Sequence, residues 1–284
     1  DFYHETDIIK VITGVRRCGK SCLMETIANE LKSSGIPSNH IYFFDLDSKD
    51  YHKITNPEQL EQLLESVPKV RGTKYLFVDE IQNVKDFELI LNSFRRSNEW
   101  SIFITGSNSY LLSGELMPKL TGRYIEFEMF PLSFEEYVGI KKFYGKKIAS
   151  DRQEELQNYI LEGGFPRTIQ LENIAAKRRY VQSVIEEIFE KDIRRRLKIR
   201  NKNTFETVQK YIINNFAATT SLKSLKKAIE QNGTAISEAT IARYVKALLD
   251  AKILCECPRF DMKSKKSLSG EKKYYLADTA FYFA

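Results

Sequence analysis

The sequence predicts an α/β fold: a parallel sheet with helices on both faces, then a helical lid, then a smaller domain of helices followed by strands. Three observations predict it. Over the first 131 residues, short β-rich apolar runs alternate with stretches of helical spacing, the pattern of a parallel sheet buried between two helical layers. From Ser133 to about Lys198 only helical periodicity remains. From Thr204 onward, three helical stretches precede two β-like runs. The domain bounds read from these changes are 1–131, 132–202 and 203–284.

Each element has its own signal. Ile8–Thr13 is a short apolar run that stops at Gly14 and reads as a buried strand. Leu23, Ile27 and Leu31 give the following stretch helical spacing, which Ser33-Ser34-Gly35-Ile36-Pro37 ends. Ile41–Phe44, Tyr75–Val78, Ser101–Thr105 and Tyr124–Phe127 are the further strands. Helices are expected from Pro57 and around Phe87–Phe94 between them. Phe134–Val138, Glu154–Leu161 and Tyr180–Leu197 are the helices of the lid, interrupted at Gly163-Gly164-Phe165-Pro166. Phe205–Phe216, Leu222–Glu230 and Glu238–Asp250 come next, then strands at Ile253–Pro258 and Lys272–Leu276.

Composition narrows the class. Apolar residues make up 42% of the 284 and charged residues 29%, as in an ordinary globular protein. No apolar run reaches membrane-spanning length, and no signal peptide is visible. The four cysteines fit neither a zinc frame nor a disulfide framework, so a reducing, cytoplasmic setting is expected. Residues 200–284 hold 15 lysines and arginines against 8 acids, which accounts for the basic excess of the whole chain (+6) and points to an acidic partner there. The last eleven residues are mostly apolar and uncapped, and they read as running on into a further module.

Gly14-Val15-Arg16-Arg17-Cys18-Gly19-Lys20-Ser21 matches G-x-x-x-x-G-K-[ST], the phosphate-binding P-loop or Walker A pattern, without a mismatch. A strand precedes it and a helix follows, as the chemistry requires. The glycines permit a backbone that turns its N–H groups around a phosphate, and the helix start adds its positive end. Residues Gly14 to Cys22 are therefore the expected nucleotide contacts, with ATP or ADP as ligand. Lys20 is expected to reach the β- and γ-phosphates and Ser21 to ligate Mg²⁺. Asp79 and Glu80 close the apolar run Tyr75–Val78, at the strand edge where ligands of such sheets sit. Asp79 is expected to hold Mg²⁺ through its water shell, and Glu80 to orient or deprotonate the attacking water.

GVRRCGKS at Gly14–Ser21, FVDEIQ at Phe77–Gln82 and IFITGSN at Ile102–Asn108 resemble the landmarks of one family. Leu111-Leu112-Ser113, Leu120-Thr121-Gly122-Arg123, Phe130–Phe134, Gly163–Pro166 and Lys273–Asp278 follow in the same order. Together they resemble the bacterial and archaeal AAA+-like P-loop ATPases that carry an additional C-terminal module. The resemblance implies a γ-phosphate sensor after the fourth strand, Asn108, with Thr105 or Ser107 as rivals. It implies that Arg123, before the fifth strand, serves as an arginine finger in a neighbouring subunit of an oligomer. It also implies that Gly164-Phe165-Pro166 packs on the nucleotide through Pro166, with Arg167 beside it as a lid arginine. The nuclease-like segment into which that family continues has no counterpart in this sequence.

Three helices followed by strands is the winged-helix order. Its third helix, Glu238–Asp250, offers Thr240, Arg243, Tyr244 and Lys246 to DNA, while Lys223, Lys226 and Lys227 on the second helix and Lys263, Lys265 and Lys266 in the turn offer charge to phosphates. The alternative is a module that binds protein. The basic run Lys191–Arg200 reads as a solvated helix face or linker. The function expected is Mg²⁺-dependent ATP binding and hydrolysis coupled to a winged helix that binds DNA or a protein partner; the alternative is a slow nucleotide-dependent switch. No membrane partner is expected.

Overall fold

The computed structural model describes residues 2–106, 120, 122–194, 197, 199, 201–231, 233–262 and 266–284. Asn108, Ser107, Leu111–Ser113, Thr121, Lys263, Lys265, Arg195, Arg196, Lys198 and Arg200 lie outside the described residues. The chain divides into two compact units: Asp1–Gly14 with Gly19–Met129, and Val15–Cys18 with Phe130–Ala284. The expected boundary at 202/203 falls inside the second.

In the first unit, β1 (Ile9–Gly14), β2 (Ile41–Asp45), β3 (Lys74–Asp79), β4 (Trp100–Thr105) and β5 (Tyr124–Met129) form one parallel sheet in the order β2-β3-β4-β1-β5. β1, β3 and β4 are buried along their whole length, which explains why their sequences read as apolar runs. Alternate residues face opposite sides. Ile9, Val11, Leu76, Val78, Ile102 and Ile104 join one core with α2 (Pro57–Glu65) and α3 (Phe87–Arg96); Ile12, Tyr75, Phe77 and Phe103 join another with α1 (Lys20–Ser33). Local signals fix the helix starts. Asn56 accepts from the Gln59 amide ahead of Pro57 at the first turn of α2, a cap and a ring both suited to that place.

One polar group interrupts the core. Lys10 on β1 is fully buried, donates to Ser101 Oγ at 2.9 Å and to the carbonyls of Ile8 and Glu5, and lies over the Phe103 ring. Burial pushes its pKa down to about 8, against the opposing charges of Glu5 and Asp7.

The second unit begins with helices α4 (Phe134–Phe143), α5 (Arg152–Glu162) and α6 (Ile174–Glu187). Ser133 and Glu136 form a reciprocal capping box on α4, and Asp151 and Asn173 cap the other two. The single helix expected over Tyr180–Leu197 is replaced by α6, starting earlier at its Asn173 cap, and a π-helical segment, Ile188–Arg194. Then follow α7 (Lys202–Asn214), β6 (Thr219–Thr220), α8 (Leu222–Gln231), α9 (Glu238–Asp250), β7 (Leu254–Asp261), β8 (Lys266–Leu276) and α10 (Ala280–Phe283). The three expected helices and two strands are present. The two-residue β6, too short for a pattern of its own, pairs with β8 to give an antiparallel sheet in the order β6-β8-β7.

Gly163 and Gly164 end α5 because of Asp278. The Asp278 carboxylate accepts the Gly164 amide at 2.7 Å and the Ala280 amide at 2.8 Å, while Gly164 O accepts from Leu132 N at 2.8 Å. A Cβ on Gly163, whose φ is +75°, would overlap Asp278 and Ala280, and one on Gly164 would overlap the Leu132 carbonyl. Phe165 is fully buried against Phe281. Burial raises the Asp278 pKa to about 6, although the two amides pull it back.

These two buried groups give opposite pH responses. Lys10 has a folded pKa below its unfolded value, so the unfolded chain holds more protons between pH 8 and 10.5 and stability rises across that window. The melting temperature of the wild type relative to Lys10→Met should rise by roughly 5 °C between pH 7.5 and 10; a pH-independent difference refutes the assignment. Asp278 has a raised folded pKa, so its contribution is complete below the unfolded value of 3.8 and is lost as pH rises through about 6. Relative to Asp278→Asn, the wild type should lose stability between pH 4 and 6.5 in chemical denaturation, and a difference that grows with pH contradicts this.

Candidate nucleotide site

The loop is built from backbone conformation. Gly14 (φ 143°) and Gly19 (φ 112°) take positive φ, and Arg17 sits in the left-handed region at φ 68°. Space is open at Gly19, where an added Cβ would meet only Met129 Cε at 3.9 Å. The requirement for glycine there is therefore conformational. Cys18 N donates to Val15 O at 3.2 Å and closes the turn. Gly19 caps α1 without a side chain, so the first turn of the helix opens on the loop with its backbone donors and positive end, the arrangement that receives anions. Lys20, in that turn, is buried and donates to Gly14 O at 3.0 Å. Ser21 and Cys22 are exposed beside it.

The parallel pairing sets Asp79 and Thr105 at the same carboxyl edge of the sheet as Gly14. Val78 pairs with Ile104, and Ile12 with Thr105. Asp79 is buried at the end of β3, and its Oδ1 accepts from Thr105 Oγ1 and from the Glu80 amide at 3.1 Å. Glu80 follows in the left-handed region (φ 55°), which turns the chain sharply after the strand. Its carboxylate is only partly buried and accepts from Gln82 Nε2. Among the described residues, both hydrogen bonds to the Asp79 carboxylate reach Oδ1. One buried carboxylate and one exposed hydroxyl, Ser21, fit Mg²⁺, which keeps several waters and takes its remaining ligands from phosphate.

The remaining expected residues fall in different places. Thr105, a rival of Asn108 for the sensor, contacts Asp79; Asn108 and Ser107 lie outside the described residues. Arg123 lies at the amino ends of β1 and β5, where its carbonyl accepts from Ile9 N at 2.9 Å. With Ile9 paired to Tyr124 and Gly14 to Met129, it stands ~20 Å of strand away from the loop of its own chain. Pro166 opens a 3₁₀ turn, Pro166–Gln170, in the second unit and is half-buried. Arg167 beside it is exposed, and its charge and that of Arg17 both act on Tyr180.

On α9, Arg243 and Lys246 are exposed and Thr240 is half-buried, its hydroxyl bonded to the capping Ser237 at 2.9 Å. Tyr244 departs from the expectation. Its side chain is buried, edge-on to Phe205, and belongs to the core that holds α9 on α7. One helical step from Arg243, it falls on the inward face, so it is no candidate for a base contact.

Sequence reasoning missed the partners of the loop arginines. Arg16 grips Asp192 with two hydrogen bonds, Nε to Oδ2 at 3.1 Å and Nη2 to Oδ1 at 2.9 Å, and lies 3.7 Å from Glu187. Arg17 donates to Glu187 through Nε at 3.2 Å. Burial raises the Glu187 pKa, but hydrogen bonds from Lys191 and Arg17 and the charges of Arg16 and Arg17 outweigh it and hold the carboxyl below its ordinary value. The pairs join residues some 170 positions apart, for which no local pattern exists.

Comparison with known proteins places this site in a family. An AAA domain model matches residues 6–138, and a domain of unknown function matches residues 153–284. An uncharacterised protein of Haemophilus influenzae is 30% identical over 278 residues, 97% of this chain and 68% of that protein. An uncharacterised protein of Methanocaldococcus jannaschii is 32% identical over 274 residues, 94% of this chain and 60% of that protein. The chain thus spans about two thirds of the length of these relatives. Among solved structures, a Walker-type ATPase of Pyrococcus abyssi superposes with a TM-score of 0.64 at 14% identity, covering 97% of this chain and 90% of that one, a likeness of fold. With the AAA domain model lying on the segment that carries the glycine loop, Asp79 and Glu80, the chain belongs to the AAA+-like P-loop ATPases.

Proposed function

We propose that the protein binds ATP with Mg²⁺ and hydrolyses it, using the nucleotide to control a winged-helix module that binds DNA. The observation that carries the reading is the meeting of the Lys20 loop with Asp79 and Glu80 at one edge of one sheet. Lys20 and Mg²⁺, the latter held by Ser21 and the water shell of Asp79, neutralise charge on the transferring phosphoryl group. Glu80 takes the proton of the attacking water. Thr105, with Asn108 following it in sequence, keeps Asp79 oriented. Arg123 serves the loop of a neighbouring subunit, and Pro166 packs on the nucleotide. The helix–strand–helix–helix–strand–strand order of the C-terminal part supports the winged-helix reading. The exposed Arg243 and Lys246 on α9, with Lys223 and Lys227 on α8, support an acidic partner.

A slow switch is the second reading, favoured by one contact. The Gln82 amide holds the Glu80 carboxylate, which restrains the base and lowers turnover while leaving binding intact.

In a fluorescent-nucleotide titration, Lys20→Ala should lose binding, and Glu80→Gln should bind normally while its ATP turnover falls by at least about 100-fold. Turnover that survives in Glu80→Gln removes Glu80 from the mechanism. A rise in turnover in Gln82→Ala would favour the switch. For the DNA reading, Arg243→Ala with Lys246→Ala should weaken duplex binding by roughly 10-fold or more at 0.1 M salt and flatten its salt dependence. Unchanged binding points to protein as the partner.

A further inference from the structure

Glu80 ends β3 in a backbone conformation that few residues other than glycine adopt, with φ 55°. Such a conformation persists only where the surroundings fix it. Both peptide groups that flank Glu80 are fixed. In the first, Glu80 N donates to Asp79 Oδ1 at 3.1 Å and to Thr105 Oγ1 at 3.3 Å, and the Asp79 carbonyl accepts from Leu46 N at 3.2 Å. In the second, the Glu80 carbonyl accepts from Asn83 N at 3.0 Å.

Asn83 closes these bonds into a ring. Its side-chain amide donates to the Leu46 carbonyl at 3.3 Å and to Asp47 Oδ1 at 3.4 Å. Leu46 therefore holds Asp79 with its N–H and Asn83 with its carbonyl, so the turn after β3 is tied at both ends to one residue after β2. Asparagine suits this place because its side-chain nitrogen carries two hydrogens, whereas a carboxylate there offers none.

Ile81 and Val84, in and after the same turn, are fully buried in one core with Leu46. Apolar contacts are not directional, so they set where the turn lies, and the hydrogen bonds set how its peptide planes face. The Gln82 amide holds the Glu80 carboxylate from within the turn. Two consecutive residues thus orient Glu80, Gln82 by its side chain and Asn83 by its backbone.

We infer that Asn83 is a positioning residue for ATP hydrolysis: by tying the turn after β3 to Leu46 and Asp47, it holds Glu80 in the left-handed conformation from which its carboxylate meets the attacking water. The inference rests on Glu80 as the base of the proposed reaction and adds the group that aims it. Asn83 acts through Glu80, and so contributes to turnover and not to the affinity for nucleotide.

Single-turnover hydrolysis of radiolabelled ATP, with titration of a non-hydrolysable ATP analogue and thermal melting, tests this in Asn83→Ala, Glu80→Gln and the double variant. Asn83→Ala should lower the rate by about 10-fold or more, since a displacement of about 1 Å in a reacting group is enough for such a loss. It should bind the analogue within about twofold of wild type. On the Glu80→Gln background, Asn83→Ala should cost nothing further, because the base it aims is gone. A folded Asn83→Ala with the wild-type rate overturns the inference. So does a loss of rate that multiplies with that of Glu80→Gln, or one accounted for by weaker binding, since Asn83 then acts elsewhere. A Glu80→Gln that hydrolyses ATP as fast as wild type removes the base reading, and the inference with it. Should Asn83→Ala fail to fold, Asn83→Asp, which keeps the shape and loses the donor, is judged by the same results.

Discussion

The parallel pairing of β4 with β1 on one side and β3 on the other is the constraint from which the site follows. Parallel strands share a direction, so their carboxyl ends share an edge. Gly14, Thr105 and Asp79 stand at that edge because Ile12 pairs with Thr105 and Val78 with Ile104. A shift of one residue between β3 and β4 would part Asp79 from Thr105, and one between β1 and β4 would move Gly14 relative to both. The register is protected by burial, since all three strands bury both faces and any slip would exchange two differently shaped cores.

Several charges in the interior fasten one part of the chain to another. Lys10 ties the amino-terminal segment to β1 and β4 through the Glu5 carbonyl and Ser101. Asp278 ties the chain after β8 to the turn after α5, and Gly163 and Gly164 exist to let it approach. Lys141 and Glu155 form a buried pair between α4 and α5, and the Ala149 amide adds a donor at 2.8 Å to the same carboxylate. In each case buried charge is matched by nearby dipoles or an opposite charge, the condition under which an interior tolerates it. Arg16, half-buried, follows the same rule with Asp192 as its partner.

Local order explains which features were legible. The strands of the first unit, α2 with its Asn56-Pro57 start, and α9 with its Ser237 cap are written in short windows of sequence, because burial and capping act within a turn or a strand. The π segment was not legible, since Ile188–Arg194 carries ordinary helical periodicity and the fold, not the pattern, selects the wider turn. Tyr244 was misassigned for a related reason. Beside Arg243 and Lys246 it looks like part of a basic, aromatic binding face, and only the packing of α9 against Phe205 shows which side is inward. The resemblance at Gly164-Phe165-Pro166 implied a nucleotide contact through Pro166, whereas the bond from the Gly164 amide to Asp278, 114 residues away, had no local signal.

The sequence by itself determined the phosphate loop and the acids that face it: Gly14, Gly19 and Lys20 specify a backbone and a charge within eight residues, and Asp79-Glu80 ends a run of four apolar ones. Those are local demands of chemistry on the chain, and residue type answers them. Only the tertiary structure decided that Thr105 supports Asp79, that Arg123 is remote from its own loop, and that Glu187 and Asp192 occupy Arg16 and Arg17. Such contacts join positions tens to hundreds of residues apart. Their partners are set by strand register and helix packing, which no single stretch of sequence encodes.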